Sequence, residues 1–120
     1  MSRMERVNNQ VKREIGLILQ QELSDPRLMF VSITHAEVSA DLRNGRIYFS
    51  VLGGGDKVEG AQAGLTSAAG LIRRLLGQRL KMRFTPELLF SFDESIEYGM
   101  KIEEKLKEIH NEKRDVDSGN

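Results

Sequence analysis

Five basic side chains, Arg73, Arg74, Arg79, Lys81 and Arg83, stand between Gly60 and Pro86 with no acidic residue among them. Cations gathered without counter-charges are what phosphate recognition needs, because they displace the counterions condensed on a nucleic-acid backbone. On a helical wheel Arg73, Arg74 and Lys81 are expected on one outer face, opposite Leu71, Ile72, Leu75, Leu76 and Leu80. Arg79 falls inside the apolar arc, and Arg83 follows the helix. A second basic group, Arg3, Arg6, Lys12 and Arg13, lies mostly off the apolar stripe of the first helix. The alternative for both groups is a solvated helix face of uneven charge. There is no Trp, and no aromatic residue stands between Phe49 and Phe84. Base stacking is therefore poorly supported, and folded RNA, recognised by backbone and shape, suits the chain better than a single strand.

The neutral total, 18 Lys and Arg against 18 Asp and Glu, hides an asymmetry. Residues 1–86 hold 13 bases and 8 acids, and residues 87–120 hold 5 and 10. A basic body with an acidic end is a pattern of polyanion binders. Enzyme chemistry has little to work with. His35 and His110 are far apart in sequence, and the neighbours Asp93-Glu94 and Glu103-Glu104 do not share a helix face. No H-E-x-x-H or G-x-S-x-G occurs, and the glycines of 53–60 lack the Lys-Ser/Thr ending of a P-loop. No catalytic residue, metal or cofactor is expected. The absence of Cys excludes disulfides, zinc thiolates and thiol nucleophiles, and fits a reducing cytoplasm. The longest apolar run is four residues, Leu28 to Val31, and MSRMERVNNQVKRE carries no apolar signal region, so no membrane association is expected.

The elements that must position these cations follow from periodicity. Met4, Val7, Val11, Ile15 and Ile18 predict a first helix that stops near Leu23, before the turn Ser24-Asp25-Pro26. Residues 28–38 and 46–52 predict an antiparallel hairpin joined by residues 39–45, with Asn44-Gly45 as the turn dipeptide. Ala36 and Val38 break the alternation set by Val31 and Ile33, which predicts a bulge or a shifted register. After Gly53-Gly54-Gly55, Asp56 and Glu59 are expected to form a capping pair for a helix from about Lys57. Eight of the eleven residues 60–70 are Gly, Ala or Ser, and close packing on a sheet is the expected cause for most of them. The change from small residues to a Leu/Arg pattern predicts a break at Ala68-Ala69-Gly70 and a second helix over 71–81. Residues 87–93 predict a third strand. A last helix carries Ile96, Met100, Ile102, Leu106 and Ile109, and the polar residues 111–120 are expected to form a disordered tail outside a single domain of residues 1–110. The fold class is α+β: a small three-stranded sheet with helices packed on one face, in the order α-β-β-α-α-β-α.

Four blocks, MERVNNQVKREIGLILQQELSDPRL, VSITHAEVSADLRNGRIYFSVLG, SAAGLIRRLLGQRLKMRFTPEL and FDESIEYGMKIEE, resemble in order the ribosome-binding factor A family of bacterial ribosome assembly factors. The resemblance covers about residues 3–110. It implies a type II KH-like fold and a non-enzymatic, cytoplasmic, monomeric protein without cofactors. It further implies binding to free 30S subunits and not to 70S ribosomes, late 30S maturation, and processing of the 5′ end of the 16S rRNA precursor. Contact with the 5′-terminal helix of 16S rRNA, support of growth in the cold, and other 30S maturation factors as partners belong to the same expectation. Ordinary KH domains clamp RNA with a GxxG loop. None occurs here, and the family's Ala-x-Gly kink falls on Ala68-Ala69-Gly70. The RNA-binding residues expected from the charge pattern are Arg73, Arg74, Arg79, Lys81 and Arg83, helped by Arg3, Arg6, Lys12 and Arg13. A protein-interaction module that recruits another 30S maturation factor, through the acidic tail or a strand edge, is the alternative.

Overall fold

A computed structural model describes residues 1–95; the expected last helix beyond Ser95 and the expected tail lie outside the described residues. The elements are α1 (Arg3–Gln21), β1 (Val31–Val38), β2 (Asn44–Val51), α2 (Lys57–Leu80) and β3 (Glu87–Phe92), with a 3-10 turn at Pro26–Leu28. The sheet order is β1-β2-β3; β1 and β2 are antiparallel, β2 and β3 parallel. Parallel neighbours need a long crossover, and α2 is that crossover. Both helices lie on one face of the sheet, α1 over β1 and α2 over β3 and β2.

The α1 stripe is buried as its spacing requires: Val11, Ile15 and Ile18 are fully buried and Leu19 nearly so. Ser2 caps the helix, its hydroxyl accepting from the Glu5 N–H at 3.1 Å. Across the core lie Ala36 and Val38 of β1, Ile47 and Phe49 of β2, Ala61, Leu65, Ile72 and Leu76 of α2, and Phe90 of β3. The expected register irregularity is present between Ile33 and His35, which leaves Thr34 as the extra residue of β1. Its hydroxyl donates to Asp93 Oδ2 at 2.7 Å, just past the end of β3.

Three local expectations are corrected. First, α2 continues unbroken through Ala68-Ala69-Gly70 to Leu80. A glycine in a helix costs about 1 kcal/mol. The buried positions Ala61, Leu65, Ile72 and Leu76 on either side of it fall on one helical face and hold both halves to one core. Second, Asn44-Gly45 is not the hairpin turn but the start of β2. The reversal is made earlier, by Leu42 at φ 62° and by Asp41, which accepts from the Arg43 N–H and from the Ser39 hydroxyl. Gly45 lies beside β3, where a Cβ would make an ordinary van der Waals contact with Leu88 Cδ2 at 3.4 Å. Third, Asp56 sits at the N-cap of α2 but makes no side-chain capping bond. The carbonyls of Gly54 and Gly55 take the N–H groups of Lys57 and Val58 instead.

Candidate nucleic-acid interface

The exposed face of α2 carries Ala63, Thr66, Ser67, Gly70, Arg74 and Gln78, and continues into Lys81 at the C-cap. Positions three and four apart form one stripe along a helix, so these side chains make a continuous surface. Its first half is smooth and its second half cationic, with no acid in it. Of the small residues expected to pack on the sheet, Ala61 and Gly64 are buried, and Gly64 packs on the turn rather than on the sheet. Gly64 lets the turn at Pro26–Leu28 lie against α2, where a Cβ would meet Leu28 Cδ2 at 3.0 Å. Ala63, Thr66, Ser67 and Gly70 face solvent. Among the described residues nothing lies within 4 Å of the position a Cβ would take on Gly70, so no contact among them requires that glycine.

The helix ends on Lys81, held at φ 52° in the left-handed region, where its N–H bonds back to the helix as the chain turns away. The loop then returns along α2 toward β3. It passes so close that a Cβ on Gly77 would occupy the space of the Thr85 methyl. Arg83 and Phe84 are pushed outward on this loop. Phe84 is 74% exposed, and the Arg83 guanidinium lies 5.5 Å from its ring centroid. This exposed aromatic was not singled out in the sequence. The loop therefore offers one stacking face beside two cations, Lys81 and Arg83, and the sequence-based objection to base stacking is weakened at this one position.

Two of the five basic residues face inward. Arg73, expected on the outer face, is half-buried: Nε donates to Pro86 O at 2.9 Å and Nη2 to Thr85 O at 3.2 Å, with Glu87 Oε1 3.3 Å away. It lies on the flank of α2 against the returning loop and fixes the start of β3. Arg79 reaches across to α1, where its guanidinium meets Glu14 at 3.4 Å, Glu22 at 3.2 Å and Gln21 at 3.3 Å. Its place inside the apolar arc is thus explained by a partner helix rather than by fraying. The outward cations are Arg74, Lys81 and Arg83. A depression of about 480 Å³ joins Gly70, Arg73, Arg74, Gly77, Gln78, Met82 and Thr85. On α1, Arg3, Arg6, Lys12 and Arg13 are all exposed. Lys12 and Arg13 line a different depression, against β1, which shares no residue with the first.

Among the described residues no group of three or more His, Cys, Asp and Glu side chains could hold a metal ion, and no helix is long and apolar enough to cross a membrane. His35 is an exposed β1 residue that pairs with Glu37 at 3.3 Å. The carboxyl of Asp93 is held below the usual carboxylate range by hydrogen bonds from Ser95 and from Thr34. That of Asp25 is lowered by the Arg27 guanidinium and the Arg27 N–H. Both are structural: Asp93 ties β1 to the end of β3, and Asp25 caps the turn at Pro26–Leu28.

An α+β domain of the type II KH-like class, without the GxxG loop and with exposed cations on α2, on the loop after it and on α1, is what the fold and this surface define. The chain belongs to the ribosome-binding factor A family, whose model matches residues 3–106. It is 43% identical over 111 residues to the ribosome-binding factor A of Brevibacillus brevis, covering 92% of each chain. The crystal structure of ribosome-binding factor A from Thermus thermophilus superposes with a TM-score of 0.68 at 27% identity, covering 74% of this chain and 93% of that one. A homology model of the Thermus thermophilus factor, fitted into a cryo-electron microscopy map of a 30S–RbfA complex, matches with a TM-score of 0.59 at 28% identity, over 69% of this chain and 87% of that one.

Proposed function

We propose that this protein is a ribosome assembly factor that binds the 30S subunit and contacts 16S rRNA through the exposed stripe of α2 and the loop behind it. The observation that carries the reading is that stripe: Ser67 and Gly70 leave the helix backbone approachable, and Arg74, Lys81 and Arg83 follow with no internal partner among the described ion pairs. A phosphate backbone can lie close to the smooth half while the cationic half replaces its counterions. Phe84 supplies a face for one unpaired base. The 30S complex of the Thermus thermophilus relative supports the choice of particle. Arg3 and Arg6 extend the positive field, whereas Arg73 and Arg79 shape the site from within.

The finer reading follows from the family. The factor acts on free 30S subunits rather than 70S ribosomes, late in maturation, near the 5′-terminal helix of 16S rRNA, and supports processing of the precursor's 5′ end. It acts as a non-enzymatic cytoplasmic monomer, alongside other maturation factors. The test is co-sedimentation with purified 30S and 70S particles, with chemical footprinting of the rRNA on the complex. Binding to 30S alone, with protections clustered at the 5′-terminal helix, is the expected result. Equal binding to 70S particles would remove the free-subunit reading, and protections elsewhere would move the site.

A further inference from the structure

We propose that the free edge of β1 at Val31–Ile33 is a docking groove for an extended, acidic segment of a partner protein. This goes beyond the rRNA reading and uses a different surface, on the outer edge of the strand that α1 covers.

The edge is open by the ladder's own logic. The Leu52 N–H donates to Phe30 O at 3.0 Å, so the pair Val31↔Val51 is the non-hydrogen-bonded kind, and Ile33↔Phe49 is the next such pair. The N–H and C=O of Val31 and Ile33 therefore point away from β2, and no described donor or acceptor meets them. At the far end of the strand the edge is closed: Asn8 Oδ1 accepts the Val38 N–H at 2.9 Å. Folded proteins blunt their free strand edges, and here one end is blunted and the other is not.

What flanks the open end says what fits it. One depression, of about 510 Å³, runs between β1 and α1 and is lined by Lys12, Arg13, Gly16, Leu17 and Gln20, with no acid and no aromatic residue. A second, of about 560 Å³, adjoins it through Gln20, Val31 and Ser32; it is apolar at Leu23, Leu28, Met29 and Phe30, and its one acid, Asp25, is paired with Arg27 at 2.7 Å. Met29 and Leu52 are 71% and 73% exposed. A strand added to Val31–Ile33 would set an apolar side chain in the second depression and a carboxylate beside Lys12 and Arg13. That is β-augmentation: main-chain bonds give affinity and the flanking pockets give selectivity. RNA fits less well, because the two outward carbonyls repel phosphate and nothing in the cationic depression stacks a base. A second copy paired edge to edge would bring Lys12 and Arg13 of each copy together, like against like.

The test uses the full chain, labelled with nitrogen-15, and two short synthetic peptides in which valine and glutamate, or valine and lysine, stand two positions apart with threonine between them, so that both side chains lie on the face turned toward α1. The glutamate peptide should shift the Val31 and Ile33 amides and slow their exchange. It should bind more tightly than the lysine peptide by roughly fivefold for each ion pair formed. The double variant Lys12→Glu, Arg13→Glu should invert that preference. Val31→Pro, which removes an edge donor that β2 does not use, should abolish binding of either peptide in a protein with an unchanged spectrum elsewhere. If that variant loses its fold, the charge inversion alone decides. Equal binding of both peptides, or no protection at Val31 and Ile33, overturns the proposal. So does protection by a single-stranded RNA oligomer in place of the peptides, or protection that rises with protein concentration alone.

Discussion

Charge removal at the two kinds of arginine should separate binding from stability. In the triple variant Arg74→Gln, Lys81→Gln, Arg83→Gln, three exposed cations lose their charge but keep their stems. Each phosphate contact contributes about 0.7 to 0.9 to the slope of log K against log salt, so the slope for 30S binding should flatten by roughly 2 to 2.7. Stability should move little, since exposed charges away from special features usually matter by no more than about 0.5 kcal/mol each. Arg73→Gln should do the reverse. Its guanidinium donates to Thr85 O and Pro86 O and pairs with Glu87. Charge-assisted hydrogen bonds are worth about 1.5 to 3 kcal/mol, toward the lower end for a half-buried group, and a domain of this size should melt about 5 to 15 °C lower. The salt slope of Arg73→Gln should stay near that of the parent. The assay is 30S co-sedimentation across a salt series, with thermal melts of the same preparations. A folded triple variant with an unchanged slope would refute the α2 surface. A flattened slope in Arg73→Gln, without lowered melting, would show that the inward placement of that side chain does not govern its role.

Gly70→Ala should raise stability by about 0.5 to 1 kcal/mol, because the added methyl meets nothing and alanine favours helix, yet it should weaken 30S binding; thermal melts and co-sedimentation together check it, and unchanged binding would mean nothing approaches α2 there. Gly77→Ala should cost roughly 1 to 3 kcal/mol through overpacking against Thr85, and Thr85→Ser, which removes the offending methyl, should recover much of the loss in a double-mutant cycle. The lowered carboxyl of Asp93 contributes stability that is full above the ordinary carboxylate pKa of about 4 and is lost as pH falls through the lower folded value. Asp93→Asn should therefore reduce stability at neutral pH and flatten the acid limb of a pH–stability curve, and an unaltered limb would place the acid sensitivity elsewhere.

The parts of the fold that were legible in the sequence are those whose pattern is local. Val11, Ile15, Ile18 and Leu19 announce the buried face of α1, and the broken alternation at Ala36 and Val38 announces the irregularity at Thr34. The orientation of Arg73 is not local. A wheel puts it on the outer face of α2 with Arg74 and Lys81, and only the loop that returns past Gly77 turns that position into an inside. Arg79 likewise needs Glu14 and Glu22 of a helix some 60 residues earlier in the chain. Phe84 becomes a surface group for the same reason as Arg73 becomes internal: the close passage of Thr85 over Gly77 leaves no room beneath the loop.

The continuity of α2 was legible but outweighed. Ala61, Leu65, Ala68, Ile72 and Leu76 follow one another at spacings of four, three, four and four, the signature of a single helical face. That series crosses Gly70 without a change of phase, which two independent helices would have no reason to preserve. The glycine is therefore not explained by ending a helix, nor by any neighbour among the described residues, where a methyl would find open space. What remains is the outside. A residue that costs helix stability and serves no internal contact, one turn before Arg74 on an exposed face, is best accounted for by something that comes close to the backbone there. The cations of Arg74, Lys81 and Arg83 on the same surface are what make a polyanion the proposed neighbour, and the Gly70→Ala variant tests that proposal directly.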